Sequence, residues 1–219
     1  MKNLNILAYN LFCGEDEEQI KYIKENDFDI LFLSETSNDI DKKLDNYISD
    51  KVESHCGYTY LGINKKFKIE ILNIIKSAGI VIIHLKYNEP VNKELVLCSL
   101  HLAPYKKNAK IRNIQIFKIN EILEDLNLLH LPIIIGGDTN MTDDEDDVIK
   151  EYDFIDVYND NDYLTYPNRE FNDDRIKFVS KNDFRYDRFF IKNCEATKFK
   201  TIPNQNSDHL AINLNLNLI

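Results

Sequence analysis

The sequence predicts an α/β sandwich, and three observations carry that reading. Apolar strand-like runs alternate with amphipathic helical ones along the 219 residues. Strand segments come from both halves of the chain, as one mixed sheet system flanked by helices requires. Acidic, amide and imidazole side chains recur at the strand ends, the edge where α/β folds place their chemistry. A chain of this length suits one domain over 1–219, burying about 70% of its unfolded surface. With six Gly, five Pro and no Ser/Gly/Pro-rich linker, no second domain is expected.

The elements are justified in chain order. Residues 4–10, Leu-Asn-Ile-Leu-Ala-Tyr-Asn, form the first predicted strand and end on Asn10. Residues 15–26 follow as an amphipathic helix with Ile20 and Ile23 on one face. A strand over 29–34 delivers Glu35, and 37–48 reads as a second helix. Strands are predicted at 57–62, 79–86 and 95–101, the last ending Leu-Val-Leu-Cys-Ser-Leu-His on His101, while 63–78 reads as ambiguous and loop-rich. The clearest helix is 108–129, where Ile111, Ile114, Phe117, Ile119, Ile122, Leu126 and Leu129 recur at helical spacing and Pro132 follows the stop. A strand over 132–136 then runs into Gly136-Gly137-Asp138-Thr139-Asn140. Beyond a strand at 153–158, residues 160–184 are loop-rich and contain Thr165-Tyr166-Pro167. Strands over 186–191 and 209–217 close the chain, with Asp187 and Asp208-His209 at their starts. If these last two run opposite to the first four, all six polar groups gather at one sheet edge.

Charge narrows the function classes. With 27 basic against 37 acidic residues, a formal −10, the chain is a poor candidate for a non-specific nucleic-acid coat, which needs a basic face. An enzyme that meets phosphate locally, through a cation and a few Arg or Lys side chains, stays compatible. The acidic run Asp143–Asp147 reads as a solvated first helical turn favoured by the helix dipole. Cys13, Cys56, Cys98 and Cys194 are scattered without CxxC or Cys/His spacing, so free, mostly buried thiols are expected. The N-terminus does not resemble a signal peptide and no segment approaches ~20 apolar residues, so a soluble, monomeric, cytoplasmic or nuclear protein is expected.

Each polar group has an ordinary structural explanation when taken alone. Asn10 suits a turn, Glu35 a helix start, His101 a satisfied core position, and Asp187 an ion pair with Arg185 or Arg188. The glycine pair before Asp138 permits an unusual backbone turn that faces Asp138 and Asn140 the same way. One site explains all of them together. Oxygen ligands plus imidazole, with no thiolate pair, suit a hard divalent cation and phosphate hydrolysis.

The order Asn, Glu, His, Gly-Asp-x-Asn, Tyr-Asp-Arg and Ser-Asp-His, from Asn10 to His209, resembles the endonuclease/exonuclease/phosphatase superfamily, whose members are similar to deoxyribonuclease I. The resemblance implies a four-layer α/β sandwich, two mixed β-sheets packed face to face with helices outside, that hydrolyses phosphoesters with Mg²⁺ or Mn²⁺. Within it, Gly-Gly-Asp-Thr-Asn, Leu-Cys-Ser-Leu-His-Leu with Arg112 and Gln115, and Arg-Tyr-Asp-Arg-Phe-Phe look most like the tyrosyl-DNA phosphodiesterase 2 branch. Three motifs depart from that branch: Ala8-Tyr9-Asn10 stands for Thr-Trp-Asn, Ser34-Glu35 for Gln-Glu, and Thr165-Tyr166-Pro167 for Thr-Trp-Asp. The implied roles are Glu35, Asn10 and Asp208 toward the metal, and Asp138 with Asn140 holding and deprotonating the attacking water. His209, oriented by Asp187, and His101 would donate to phosphoryl oxygens. Arg112 and Tyr166 form the implied substrate-binding group: Arg112 would buttress the His101 and Asp138 loops, structural more than substrate-touching, and Tyr166 would stack on a base or leaving group. The implied partner is the 5′ end of single-stranded or frayed DNA carrying a tyrosyl adduct. Alternatives are another nuclease or phosphohydrolase of the superfamily, such as an RNA deadenylase or a sphingomyelinase-like enzyme, and a non-catalytic binding module on the same fold.

Overall fold

The protein is described by a computed structural model covering residues 3–88, 93–158, 164–166, 170–172, 177–179, 184–203 and 206–218. In order, the elements are β1 (Asn3–Asn10), α1 (Glu17–Glu25), β2 (Ile30–Thr36), α2 (Ile40–Lys43), β3 (Tyr47–Glu53), β4 (Tyr58–Asn64), β5 (Ile69–Ser77), β6 (Ile80–Tyr87) and β7 (Lys93–His101). They continue with α3 (Ala109–Asp125), β8 (Ile133–Asp138), α4 (Asp147–Lys150), β9 (Ile155–Val157), β10 (Glu170–Asn172), β11 (Lys177–Val179), β12 (Asp187–Lys192), β13 (Glu195–Ile202) and β14 (Ala211–Asn217). One six-stranded sheet has the order β13-β14-β1-β2-β4-β3 and the other β5-β6-β7-β8-β12-β9; β10 and β11 form a small hairpin.

Strand periodicity builds four layers. Leu4, Ile6 and Ala8 of β1 and Phe32 of β2 face Leu95, Leu97 and Ile134 of the other sheet in one buried cluster. The alternate residues Leu7, Leu31 and Leu33 face outward onto Ile23 of α1 and Ile40 of α2. Val96, Cys98 and Ile135 face outward onto Ile116, Ile119 and Leu123 of α3. The layers are therefore helix, sheet, sheet, helix, the central strands serving two cores through their period of two. α1 starts where Asp16 and Gln19 close a reciprocal capping box.

β1 pairs parallel with β2, and β7 with β8, whereas β14 is antiparallel to β1 and β12 to β8. The strand directions are those the sequence predicts, but the polar groups divide between two sheets. Asn10, Glu35 and His209 belong to one, and His101, Asp138 and Asp187 to the other. The shared edge of the stack, not one sheet, collects them.

Four local expectations are corrected. Residues 37–48 hold only a single helical turn, α2, because Ile40 and Leu44 are the one apolar i, i+4 pair before β3 begins. The loop-rich reading of 63–78 gives way to β5, and β13 was not anticipated at all. β3, β5 and β13 are sheet edges, where half-exposed, charge-interrupted sequence weakens the strand signal. On α3 the buried residues are Arg112, Ile116, Ile119 and Leu123, while Ile111, Ile114 and Phe117 are about half exposed. The acidic run is also not simply solvated: Glu145 pairs with Arg112 at 2.6 Å and Asp146 with Arg188 at 2.5 Å. No helix among the described residues is long and apolar enough to cross a membrane.

Candidate active site

Backbone geometry aims the side chains. Glu35 has φ +55° beside a register shift in the β2–β4 pairing, so the bulge turns its carboxylate toward the cleft. Gly137 has φ +133°, and a Cβ there would lie 2.1 Å from the Leu100 carbonyl oxygen. A Cβ on Gly136 would meet Phe32 and Phe189 at 2.6 and 2.7 Å. The two glycines thus let β8 pass close to both neighbours and deliver Asp138. Asn140, at φ +50°, donates its backbone N–H to Asp138 Oδ1 at 2.8 Å and its side-chain amide to the Leu102 carbonyl at 3.1 Å.

Asn10 stitches the two sheets together. Its Nδ2 donates to Glu35 Oε1 at 3.1 Å and Asp138 Oδ2 at 2.9 Å, while its Oδ1 accepts from the Phe12 N–H. Across from it, His209 Nδ1 lies 2.7 Å from Asp187 Oδ2, and His209 Nε2 is 3.9 Å from Asp138 Oδ2. Arg185 and Arg188 do not take Asp187; they pair with Asp156 and Asp146, leaving the carboxylate to the imidazole. Thr165 Oγ1 accepts the Asp187 N–H at 2.9 Å, and the Thr165 carbonyl accepts the Leu210 N–H at 2.7 Å. That link fixes Tyr166, whose ring meets the His209 ring edge-on at 5.0 Å.

His101 Nε2 is buried without a hydrogen-bond partner among the described residues, 3.6 Å from Asp138 Oδ2 and 3.9 Å from Glu35 Oε1. Its Nδ1 is 3.2 Å from Ser54 Oγ. Two carboxylates facing Nε2 favour the tautomer with the proton there. Burial lowers the His101 pKa against the pull of Asp138 and Glu35, so it is a neutral donor. His209 is the opposite case. Burial alone would lower its pKa, but Asp187, Asp138 and Asp208 raise it well above the ordinary value, so it is an imidazolium. Burial also pushes Asp138 and Glu35 upward, but the adjacent imidazoles and the Asn10 amide outweigh it and hold both below their usual range.

The metal expectation rests on Glu35, Asp208 and Asn10. Burial, then the charges of Glu35 and Asp138, raises the Asp208 pKa despite His209. Mutually repelling carboxylates in a buried rim are a donor set that a hard divalent cation would relieve, so the residues fit such an ion. Asn10, as oriented, bridges carboxylates through its amide nitrogen. Arg112 lies outside the cleft, fully buried, with its guanidinium on Glu145 and on the carbonyls of Ala103 and Tyr105.

Glu35, His101, Asp138, Asn140, Tyr166, Asp208 and His209 line a cleft of about 690 Å³, with Asn10 and Asp187 behind them, hydrogen-bonded to the lining residues. Its wall also contains residues the sequence reading missed: Tyr105, Tyr186, His55, Cys13 and Cys56. Cys13 Sγ is 2.9 Å from Cys56 Sγ and 3.3 Å from Glu35 Oε2. The expectation of a site without a thiol pair is therefore corrected, and only Cys98 and Cys194 are buried. Spacing of 43 residues in sequence left nothing local to mark the pair. Burial raises both thiol pKa values, with Glu35 adding to it, so both are protonated thiols here.

No family model and no curated protein sequence matches this chain. Solved structures match its fold. D. rerio TDP2 complexed with single strand DNA product is 18% identical, with a TM-score of 0.78 over 99% of this chain and 100% of that one. An endonuclease/exonuclease/phosphatase family protein from Bacteroides thetaiotaomicron is 16% identical, with a TM-score of 0.74 over 98% and 97%. The B. thetaiotaomicron VPI-5482 mannosyl-6-phosphatase Bt3783 is 16% identical, with a TM-score of 0.75 over 98% and 99%. The chain has the endonuclease/exonuclease/phosphatase fold.

Proposed function

We propose that this chain is a divalent-cation-dependent phosphodiesterase whose substrate is a 5′-phosphotyrosyl DNA end, cleaved to a 5′-phosphate and free tyrosine. The observation that carries the reading is the convergence, from two sheets, of the His209–Asp187 pair, Asp138 and Glu35 on one cleft. A phosphodiester needs an in-line water, a proton acceptor and neutralisation of the phosphoryl oxygens. Asp138, ionised and held by Asn10 and the Asn140 N–H, orients the water and accepts its proton. The His209 imidazolium and His101 Nε2–H donate to phosphoryl oxygens. A Mg²⁺ or Mn²⁺ ion held by Glu35 and Asp208, with Asn10 directly or through water, supplies further charge neutralisation when bound.

Two considerations support the tyrosyl end in particular. A tyrosyl leaving group has a pKa near ~10, far below a sugar alcohol, so it needs no dedicated general acid. The rim is aromatic: Tyr166, Tyr186 and Tyr105 line it, as stacking on a base or phenol requires. The fold likeness to D. rerio TDP2 with a single strand DNA product agrees with that substrate class. The test is kcat/KM with Mg²⁺ on 5′-tyrosyl DNA beside abasic duplex, poly(A) RNA, sphingomyelin and mannose 6-phosphate. A tenfold preference for the tyrosyl end is expected, with most activity lost in excess EDTA or in Glu35→Gln. Equal or greater activity on another substrate would reassign the leaving group, and full activity in EDTA would remove the metal.

A further inference from the structure

Beside the oxygen-rich site lies a second donor set of different chemistry. Cys13 Sγ, Cys56 Sγ and a Glu35 carboxylate oxygen lie within 4.8 Å of one another, and a Glu35 oxygen does so with ring nitrogens of His55 and His101. Glu35 belongs to both groups, and its Oε2 already holds the Cys13 N–H at 2.8 Å. Cys13 is exposed and Cys56 partly so, which leaves both sulfurs open to the cleft.

We propose that Cys13, Cys56 and Glu35 form a binding site for a thiophilic divalent cation of the zinc type, with solvent as the fourth ligand of a tetrahedral set. Two sulfurs and a carboxylate suit zinc, whereas Mg²⁺ takes oxygen alone. Sulfur spacing alone does not choose between an ion and a disulfide. The observed 2.9 Å lies midway between the ~2.05 Å of a disulfide and the about 3.8 Å expected for two ~2.3 Å bonds to a tetrahedral ion. Glu35 favours the ion, because its Oε2 stands 3.3 Å from Cys13 Sγ and a disulfide would make no use of it. On binding, both thiols release their protons to solvent as the two sulfur–metal bonds form, with no change of oxidation state.

The consequence rests on the proposed function. One Glu35 carboxylate cannot serve both cations in full, so occupancy of the sulfur site withdraws a ligand from the catalytic one. A zinc-type ion would then inhibit in the presence of saturating Mg²⁺.

Binding is read first with Co²⁺ alone on the reduced full-length chain, independently of any activity. A thiolate-to-cobalt charge-transfer band saturating at one equivalent is expected, and it should disappear in both Cys13→Ser and Cys56→Ser. Failure of the phosphodiesterase reading would leave that band intact. In the activity assay, either serine variant should keep the Mg²⁺-supported rate and require at least tenfold more Zn²⁺ for half inhibition. The proposal is overturned if thiol titration shows both cysteines free and no band forms, or if the band survives in both variants. It is also overturned if, with dissolved oxygen as the two-electron oxidant, the reduced chain forms a Cys13–Cys56 disulfide in preference to taking up Co²⁺. Zn²⁺ inhibition unchanged in both serine variants would assign inhibition to the oxygen ligands and overturn the shared-Glu35 consequence.

Discussion

His209 shows how one side chain's role follows from its surroundings. Left to burial it would be neutral, but three carboxylates around it keep it charged, and Asp187 fixes its ring through Nδ1 at 2.7 Å. His101, buried as deeply, faces two carboxylates through Nε2, but burial outweighs their pull and it stays neutral. The same residue type thus supplies a cationic donor and a neutral one within a single cleft. His209→Ala is expected to lower kcat by about 10²–10⁴, the usual cost of a transition-state donor. Asp187→Asn should cost less, because it still accepts the Nδ1 proton and orients the ring. Single-turnover rates on the preferred substrate, with circular dichroism to confirm folding, check the order; an Asp187→Asn loss exceeding that of His209→Ala would reverse the assignment.

At the scale of elements, α3 does two jobs with one face. Ile119 and Leu123 pack on the outer face of the second sheet, and Arg112 reaches past them to the segments after β7 and β8. Ile119→Ala should cost about 2–5 kcal/mol in urea unfolding. Ile114→Ala, half exposed on the other side, should stay within about 0.5 kcal/mol. Equal effects would mean that α3 is rotated about its axis. The Arg112–Glu145 pair ties the helix to the loop that follows Asn140, and it links stability to pH. Burial pushes the Glu145 carboxyl upward, but the bidentate guanidinium and the Thr142 N–H outweigh it and hold the pKa below its ordinary 4.5. A carboxylate whose folded pKa is depressed contributes fully above its unfolded value and loses that contribution as pH falls through the folded one. Wild type should therefore lose stability below about pH 4.3 more steeply than Glu145→Gln, which starts lower and stays flatter. Parallel thermal-melting curves between pH 5 and 3 would show that the pair carries no such linkage.

Across the whole molecule, the balance of 27 basic and 37 acidic residues sets how a nucleic acid would approach. Arg112, Arg185 and Arg188 are buried against carboxylates, which leaves them unable to meet phosphate. On the proposed function, binding is expected at the strand end inside the cleft, with few backbone contacts. For two phosphate contacts on a single strand, affinity falls by less than about tenfold between 50 and 200 mM salt. Measuring KM for 5′-tyrosyl single strands across that range tests this, and a fall of about a thousandfold would demand a basic track that the charge balance argues against.

Local chemistry is written plainly in the chain. Central strands read as apolar runs because they are buried on both faces, and the glycine pair before Asp138 announces a backbone that side chains would obstruct. Asn10, Glu35, His101, Asp138, Asp187 and His209 were therefore recognisable as residue types at strand ends, and the fold class followed from their order. Other features depend on distance in space and leave no local trace. Edge strands β3, β5 and β13 owe their existence to a hydrogen-bonding neighbour more than to their own composition. The face that α3 buries was ambiguous because apolar residues lie on both sides, and only contact with the sheet selects Ile116, Ile119 and Leu123. Which carboxylate each arginine takes, and that Cys13 meets Cys56 beside Glu35, were settled when two sheets stacked. A hydrogen bond, an ion pair or a thiol contact between remote residues is a property of that packing, and no window of neighbouring residues contains it.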